Sequence, residues 1–212
     1  MTYARDVAAL ARKDLLLELR ARETLPAMLL FVVSTLVAIR FALPAGSSAR
    51  ASIGMLWIAI LFTALLGLTR AFVPEREQRV LDGLVLAPVD RSAIWLGKVV
   101  ATLAFLAAAE AVALPAYAIF FEELTWPTVA AVALANVGIC TVGALLAAMA
   151  VAGRARELLF PLLFLPLALP VLVGGVGAGV TDDPGRYLAF LALYDGVFAI
   201  LAWASFEYVV TE

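Results

Sequence analysis

Six stretches of this chain, 25–43, 52–72, 94–120, 127–152, 158–178 and 187–208, are apolar runs of spanning length. A helix needs about 20 such residues to cross the hydrocarbon core of a bilayer. Inside lipid every backbone N–H and C=O must be satisfied within the protein, so runs of this kind fold as helices. The expected fold class is therefore all-α integral membrane, with six transmembrane helices. The chain is 65% apolar and only 15% charged, against roughly 45–50% and 25% for soluble domains. The pieces between the spans reach only about 20 residues, too short to bury a core of their own. Residues 1–212 are read as one membrane domain.

Even numbers of spans put both chain ends on one side, and Lys and Arg mark that side as cytoplasmic. With the N-terminus inside, Arg5, Arg12, Lys13, Arg20, Arg22, Arg70, Arg76, Arg79, Arg91, Lys98, Arg154 and Arg156 are inner. Only Arg40, Arg50 and Arg186 are outer, so 12 of 15 basic residues favour this orientation. Arg40, close to the outer end of the first span, is expected to reach the interface. Residues 1–23 are charged and the apolar run after them is of full spanning length, so the first span is expected to be retained rather than cleaved as a signal.

Several chemistries are excluded early. The chain has no histidine, which removes the commonest general base and metal ligand. Its single cysteine, Cys140, lies inside an apolar run, and no metal-ligand spacing exists. There is no GxxxxGK[ST] phosphate loop, so ATP cannot be bound in that mode. A net charge of −2 gives no basic field for nucleic acid. No cluster of polar residues suggests a membrane-embedded enzyme.

Two segments outside the spans carry pattern. Residues 2–23 contain good helix formers with no Gly or Pro before Pro26. Arg5, Arg12, Lys13 and Arg20 share a broad polar face, with Val7, Leu10, Ala11 and Leu17 elsewhere. Such a helix, within 1–24, suits the membrane interface with basic residues toward anionic headgroups; the alternative is a charged leader that only sets topology. The second segment is 74–98, PEREQRVLDGLVLAPVDRSAIWLGK. Pro74, Glu75 and Glu77 suit a helix start. Val80, Leu81, Leu84 and Val85 form an apolar stripe at helical spacing. Ala87-Pro88 ends it, and Asp90 can cap the third span. A helix over 74–89 is too short to be stable unless docked, either on lipid or the bundle, or in a socket on a partner protein.

At these residues a family resemblance emerges. Leu-Asp-Gly-Leu-x-Leu-Ala-Pro after a Glu-rich start, followed by Arg-Ser-x-Ile-x-x-Gly-Lys, resembles six-helix ABC exporter permeases. More narrowly, ARKDLLLELRARE, EREQRVLDGLVLAPVDRSAIWLGK and RARELLFPLLFLPLALPVLVGGVGAG resemble the CcmB family, permeases of the cytochrome c maturation haem exporter. Where many members have Gly-Ser or Gly-Thr before the Leu of the 74–89 helix, this chain has Arg79-Val80. The resemblance implies that 74–89 is a coupling helix seated in a separate ATPase subunit, with Glu75, Glu77, Val80, Leu81, Asp82, Leu84 and Val85 as contacts. It implies a homodimer with two ATPase subunits in a bacterial inner membrane, beside further cytochrome c maturation membrane subunits. Haem would be substrate rather than resident cofactor, and ATP would sit on the partner; another amphiphile or lipid is the alternative cargo.

The remaining features are internal to the spans. The fifth contains Pro161, Pro166 and Pro170, then Gly174, Gly175, Gly177 and Gly179, and is expected to be kinked or re-entrant: a gate, or a static kink packed in the bundle. In the fourth span Ala131 with Ala135, and Gly143 with Ala147, permit close helix approach, within the chain by default and against a second copy as the alternative. Glu110 and Asp195 lie deep in the third and sixth spans, where carboxyls face the interior or a cavity. They either line a substrate path or hydrogen-bond a neighbouring helix. As proton sites they would serve a different class of protein, a carrier driven by an ion gradient, although no inverted repeat supports one.

Overall fold

A computed structural model describes residues 3–44, 48–71, 89–121, 124–152 and 156–211. Among them are seven helices: α1 (Tyr3–Ala21), α2 (Thr24–Ala42), α3 (Ala49–Arg70), α4 (Arg91–Phe121), α5 (Trp126–Ala152), α6 (Arg156–Val180) and α7 (Gly185–Thr211). Helices α2 to α7 are each long and apolar enough to cross a membrane. The spans expected from the sequence are recovered, with ends shifted by up to three residues.

Helix α1 ends at Arg22, which adopts φ 55° while its N–H bonds the Glu18 carbonyl at 2.9 Å. This is a left-handed helix stop of the kind glycine usually makes. The Glu18 side chain then accepts a bond from the Thr24 N–H at 2.8 Å, capping α2. One residue thus closes two helix ends. Asp90 caps α4 as expected, its Oδ1 accepting from the Ser92 N–H at 2.9 Å. At the start of α5, Thr125 and Thr128 join hydroxyls at 3.0 Å.

The bundle is built around α3 and α5. Their most apolar windows are 61% and 67% buried, against 22% for both α2 and α7. Helix α5 packs on α3, α4, α6 and α7, and α2 closes the side formed by α3 and α4. The small residues of α5 explain that central place. Ala131, Ala135 and Ala147 are buried, and a Cβ on Gly143 would strike Leu68 of α3. The close approaches expected along this helix are therefore made inside the chain.

Helix α6 is continuous from Arg156 to Val180 despite Pro161, Pro166 and Pro170. The segment is a full spanning helix, not a re-entrant loop. Its glycines lie where neighbours press closest: Gly174 against Leu191, Gly175 against Trp57, and Gly177 against Tyr187. The Tyr194 hydroxyl of α7 donates to the Leu167 carbonyl at 2.7 Å, in the turn before Pro170, and ties α6 to α7 there.

Candidate functional site

The seven residues expected to contact a partner, Glu75, Glu77, Val80, Leu81, Asp82, Leu84 and Val85, lie outside the described residues. What the structure does show is where the chain leaves and re-enters the bundle on either side of them, and that region is polar and tightly built.

Helix α1 lies along α4 rather than only along the interface. Their crossing is set by Gly97, where a Cβ would come within 2.8 Å of the Leu10 Cβ; a side chain there would separate the helices. Ala11 beside it is buried. At one end of the contact the Tyr3 and Ser92 hydroxyls meet at 3.0 Å, and Ser92 donates to Asp90 Oδ1 at 2.7 Å. Further along, the Lys98 ammonium lies 3.1 Å from Asp14 Oδ2, with the two side chains 5% and 10% exposed. Lys98 also donates to the Ala71 carbonyl at 2.6 Å. Asp14 Oδ1 is 3.0 Å from Lys13.

Two of these residues were read differently from sequence. Lys98 served there as a cytoplasmic charge that fixes orientation, yet it is buried. Asp14 sits among the basic residues of α1 and drew no attention. Its signal was available only in pairing: an acid on the face of α1 that carries Val7, Leu10, Ala11 and Leu17, and a lysine inside an apolar helix. Arg5, Arg12 and Arg20 are exposed, as are Leu16 and Leu19.

Around Lys98 a cavity of about 40 Å³ is lined by Asp14, Glu18, Thr24, Arg70, Lys98 and Thr102 with apolar neighbours. Its size and polarity suit a few water molecules. Outside it, Arg70 at the end of α3 pairs with Glu23 at 3.0 Å. Arg91 at the start of α4 pairs with Glu207 near the end of α7 at 3.3 Å. The first and last helices are thus tied to the same end of the bundle, in agreement with an even number of spans.

Glu110 and Asp195 are both buried, but they do not form one site. The Asn136 amide of α5 donates to Glu110 Oε2. Glu110 Oε1 and Asn136 Oδ1 have no partner among the described residues. Asp195 instead lies against Gly138, where a Cβ would strike its Oδ1. Residues 136 and 138 are about 200° apart around a helix at 3.6 residues per turn, so the two carboxyls approach α5 from opposite sides. Of the two roles expected for Glu110, a bond to another helix is the one observed. Asn136 was missed in the sequence, although a lone amide in an apolar span is itself a signal. Cys140 is buried and free. Among the described residues no group of His, Cys, Asp or Glu could hold a metal ion.

Among the described residues the arrangement contains no reacting constellation. It is a braced membrane bundle whose polar construction gathers around the two roots of the 72–89 segment. The family model for the CcmB protein matches residues 5–208. Heme exporter protein B of Paracoccus denitrificans (strain Pd 1222) is 32% identical over 208 residues, spanning 93% of this chain and 94% of that protein. The match runs from α1 to α7 and includes the braced end, and on it the chain belongs to the CcmB family.

Proposed function

We propose that this protein is the membrane permease subunit of an ABC-type haem exporter, driven by ATP hydrolysis on a separate subunit. The observation that carries the reading is the family match along almost the whole chain, with a relative named as a haem exporter protein. The described geometry supports it. The 72–89 segment is rooted in α3 and α4; α1 bonds the second root directly at Ser92 and reaches the first through the Asp14–Lys98 pair. A force applied to that segment has a rigid path into the bundle.

In this reading residues 74–89 seat in the ATPase subunit through Val80, Leu81, Leu84 and Val85, flanked by Glu75, Glu77 and Asp82. Two copies form the membrane part in a bacterial inner membrane, with both termini cytoplasmic and further maturation subunits alongside. The exposed Arg5, Arg12 and Arg20 of α1, with Leu16 and Leu19, face headgroups. Nucleotide-driven closure of the ATPase pair tilts the spans, a rigid-body transition of the usual kind. Haem is the cargo; with no histidine in the chain, this subunit serves as the mechanical element. The gradient-driven alternative would use Glu110 and Asp195 as proton sites; the bond from Asn136 gives Glu110 a use in joining helices instead, and such a carrier would leave the 74–89 pattern unexplained.

The test is to tag the protein in its native host, extract it in mild detergent, and measure co-purifying proteins and ATP hydrolysis. A stoichiometric ATPase subunit that Leu84→Asp abolishes is the expected result, and maturation subunits alongside it support haem. A clean protein without an ATPase refutes the assignment.

A further inference from the structure

We propose that Lys98 is a positioning residue for transmission, fastening α1 to the point where the 72–89 segment leaves α3. This rests on the transport-subunit reading above. The ammonium bridges three elements: it belongs to α4, pairs with Asp14 of α1 at 3.1 Å, and donates to the Ala71 carbonyl at 2.6 Å. Ala71 follows the last residue of α3, where carbonyls lack helical partners and the helix dipole is negative. Lysine answers both needs with one group.

The second root is held independently. Tyr3, at the start of α1, meets Ser92 in the first turn of α4, and Ser92 is fixed by Asp90. Helix α1 therefore reaches the chain just before the 72–89 segment through Lys98 and touches it directly just after, at Ser92. Gly97 allows the close approach that places both contacts in register. Arg70–Glu23 and the Glu18 cap on Thr24 then connect the same end to α2. Helix α1 with the adjoining ends of α3 and α4 forms one body, and displacement of the 72–89 segment moves all three together.

A buried ion pair is weak evidence of stabilisation, because desolvation offsets the attraction, and apolar replacements of similar volume are often neutral. Fixing a register is its best-attested use. That difference separates a positioning role from a structural one. Removing one partner strands the other, so the informative variant removes both charges. Asp14→Leu with Lys98→Met keeps apolar contact between α1 and α4 and deletes the bond to Ala71.

The experiment uses the full complex in nanodiscs, on a Cys140→Ala background, with spin labels at the exposed Arg12 of α1 and Leu66 of α3. In the parent the α1–α3 distance distribution is narrow and unchanged between ATP-bound and ADP-bound states. In the double variant it broadens and shifts with nucleotide. The ATPase subunit remains bound and hydrolyses ATP, while haem delivered per ATP falls about tenfold, within the range that site-to-site coupling energies produce. A double variant with parental distances and parental delivery overturns the proposal. So does lost delivery with an unchanged distance distribution, which would make the effect one of the substrate path. If the parent recruits no ATPase subunit, the transport-subunit reading falls and the transmission role with it, whereas the distances on the chain alone still report whether Lys98 holds α1 to α3.

Discussion

Replacing Gly175 by alanine adds one methyl group to α6, and the structure states what that group meets. A Cβ at this position would lie 2.1, 2.2 and 2.5 Å from three atoms of the Trp57 ring, where carbon contacts are comfortable only at about 3.5–4.0 Å. The ring must retreat by more than an ångström. It has little room to do so, because Trp57 is fully buried between α3 and its neighbours. Overpacking of this kind typically costs about 1–3 kcal/mol, and we expect Gly175→Ala to lose stability in that range. Gly196→Ala makes the same chemical change on α7, where a Cβ meets nothing within 4 Å; removing a helical glycine there is neutral or slightly favourable. The pair isolates packing from propensity. The assay is unfolding of purified protein in detergent, followed by helix content and by tryptophan fluorescence. Trp57→Phe supplies the closing arm: the indole Nε1 has no hydrogen-bond partner among the described residues, so the smaller ring gives up no bond and makes space for the methyl. Recovery of much of the loss in Trp57→Phe/Gly175→Ala would give the coupling energy expected of residues in contact. Equal stability of Gly175→Ala and Gly196→Ala, or no recovery in the double variant, would refute the close α3–α6 contact and with it the continuous α6.

Two further outcomes follow from buried polar contacts. Tyr194→Phe deletes the bond to the Leu167 carbonyl and is expected to cost about 0.5–1.5 kcal/mol, with faster amide exchange confined to the turns around Pro166 and Pro170. Glu110→Leu strands the Asn136 amide and should cost about 1–3 kcal/mol, whereas Glu110→Leu/Asn136→Leu recovers most of it; the parent, Glu110→Leu, Asn136→Leu and the double variant, scored for cytochrome c maturation, show whether either group does more than join α4 to α5.

The six spans were legible from the sequence because lipid leaves the backbone no alternative. About 20 apolar residues without water must be helical, and six helices of that length and character are present. The cap at Asp90 was legible too, since a short polar side chain before a helix has one local use. For α6 the three prolines left a kinked or a re-entrant segment open, and the continuous helix removes the second. Local rules count the lost N–H groups, but they do not see the neighbours that pack α6, with Trp57 against Gly175 and the Tyr194 hydroxyl on the Leu167 carbonyl. The helix at 74–89 and its contact stripe rest on the sequence pattern and the family, since those residues lie outside the described part of the structure.

What tertiary structure alone decided is which polar groups meet. Asp14 and Lys98 are 84 positions apart in the chain, and nothing in either segment names the other as its partner; only the docking of α1 at Gly97 brings them together beside Ala71. Glu110 finds Asn136, while Asp195 settles against Gly138 on the far side of α5. Hydrophobic length is a one-dimensional property and is read along the chain. Pairing between helices depends on rotation, crossing angle and close approach, which lipid does not dictate and only side-chain packing fixes.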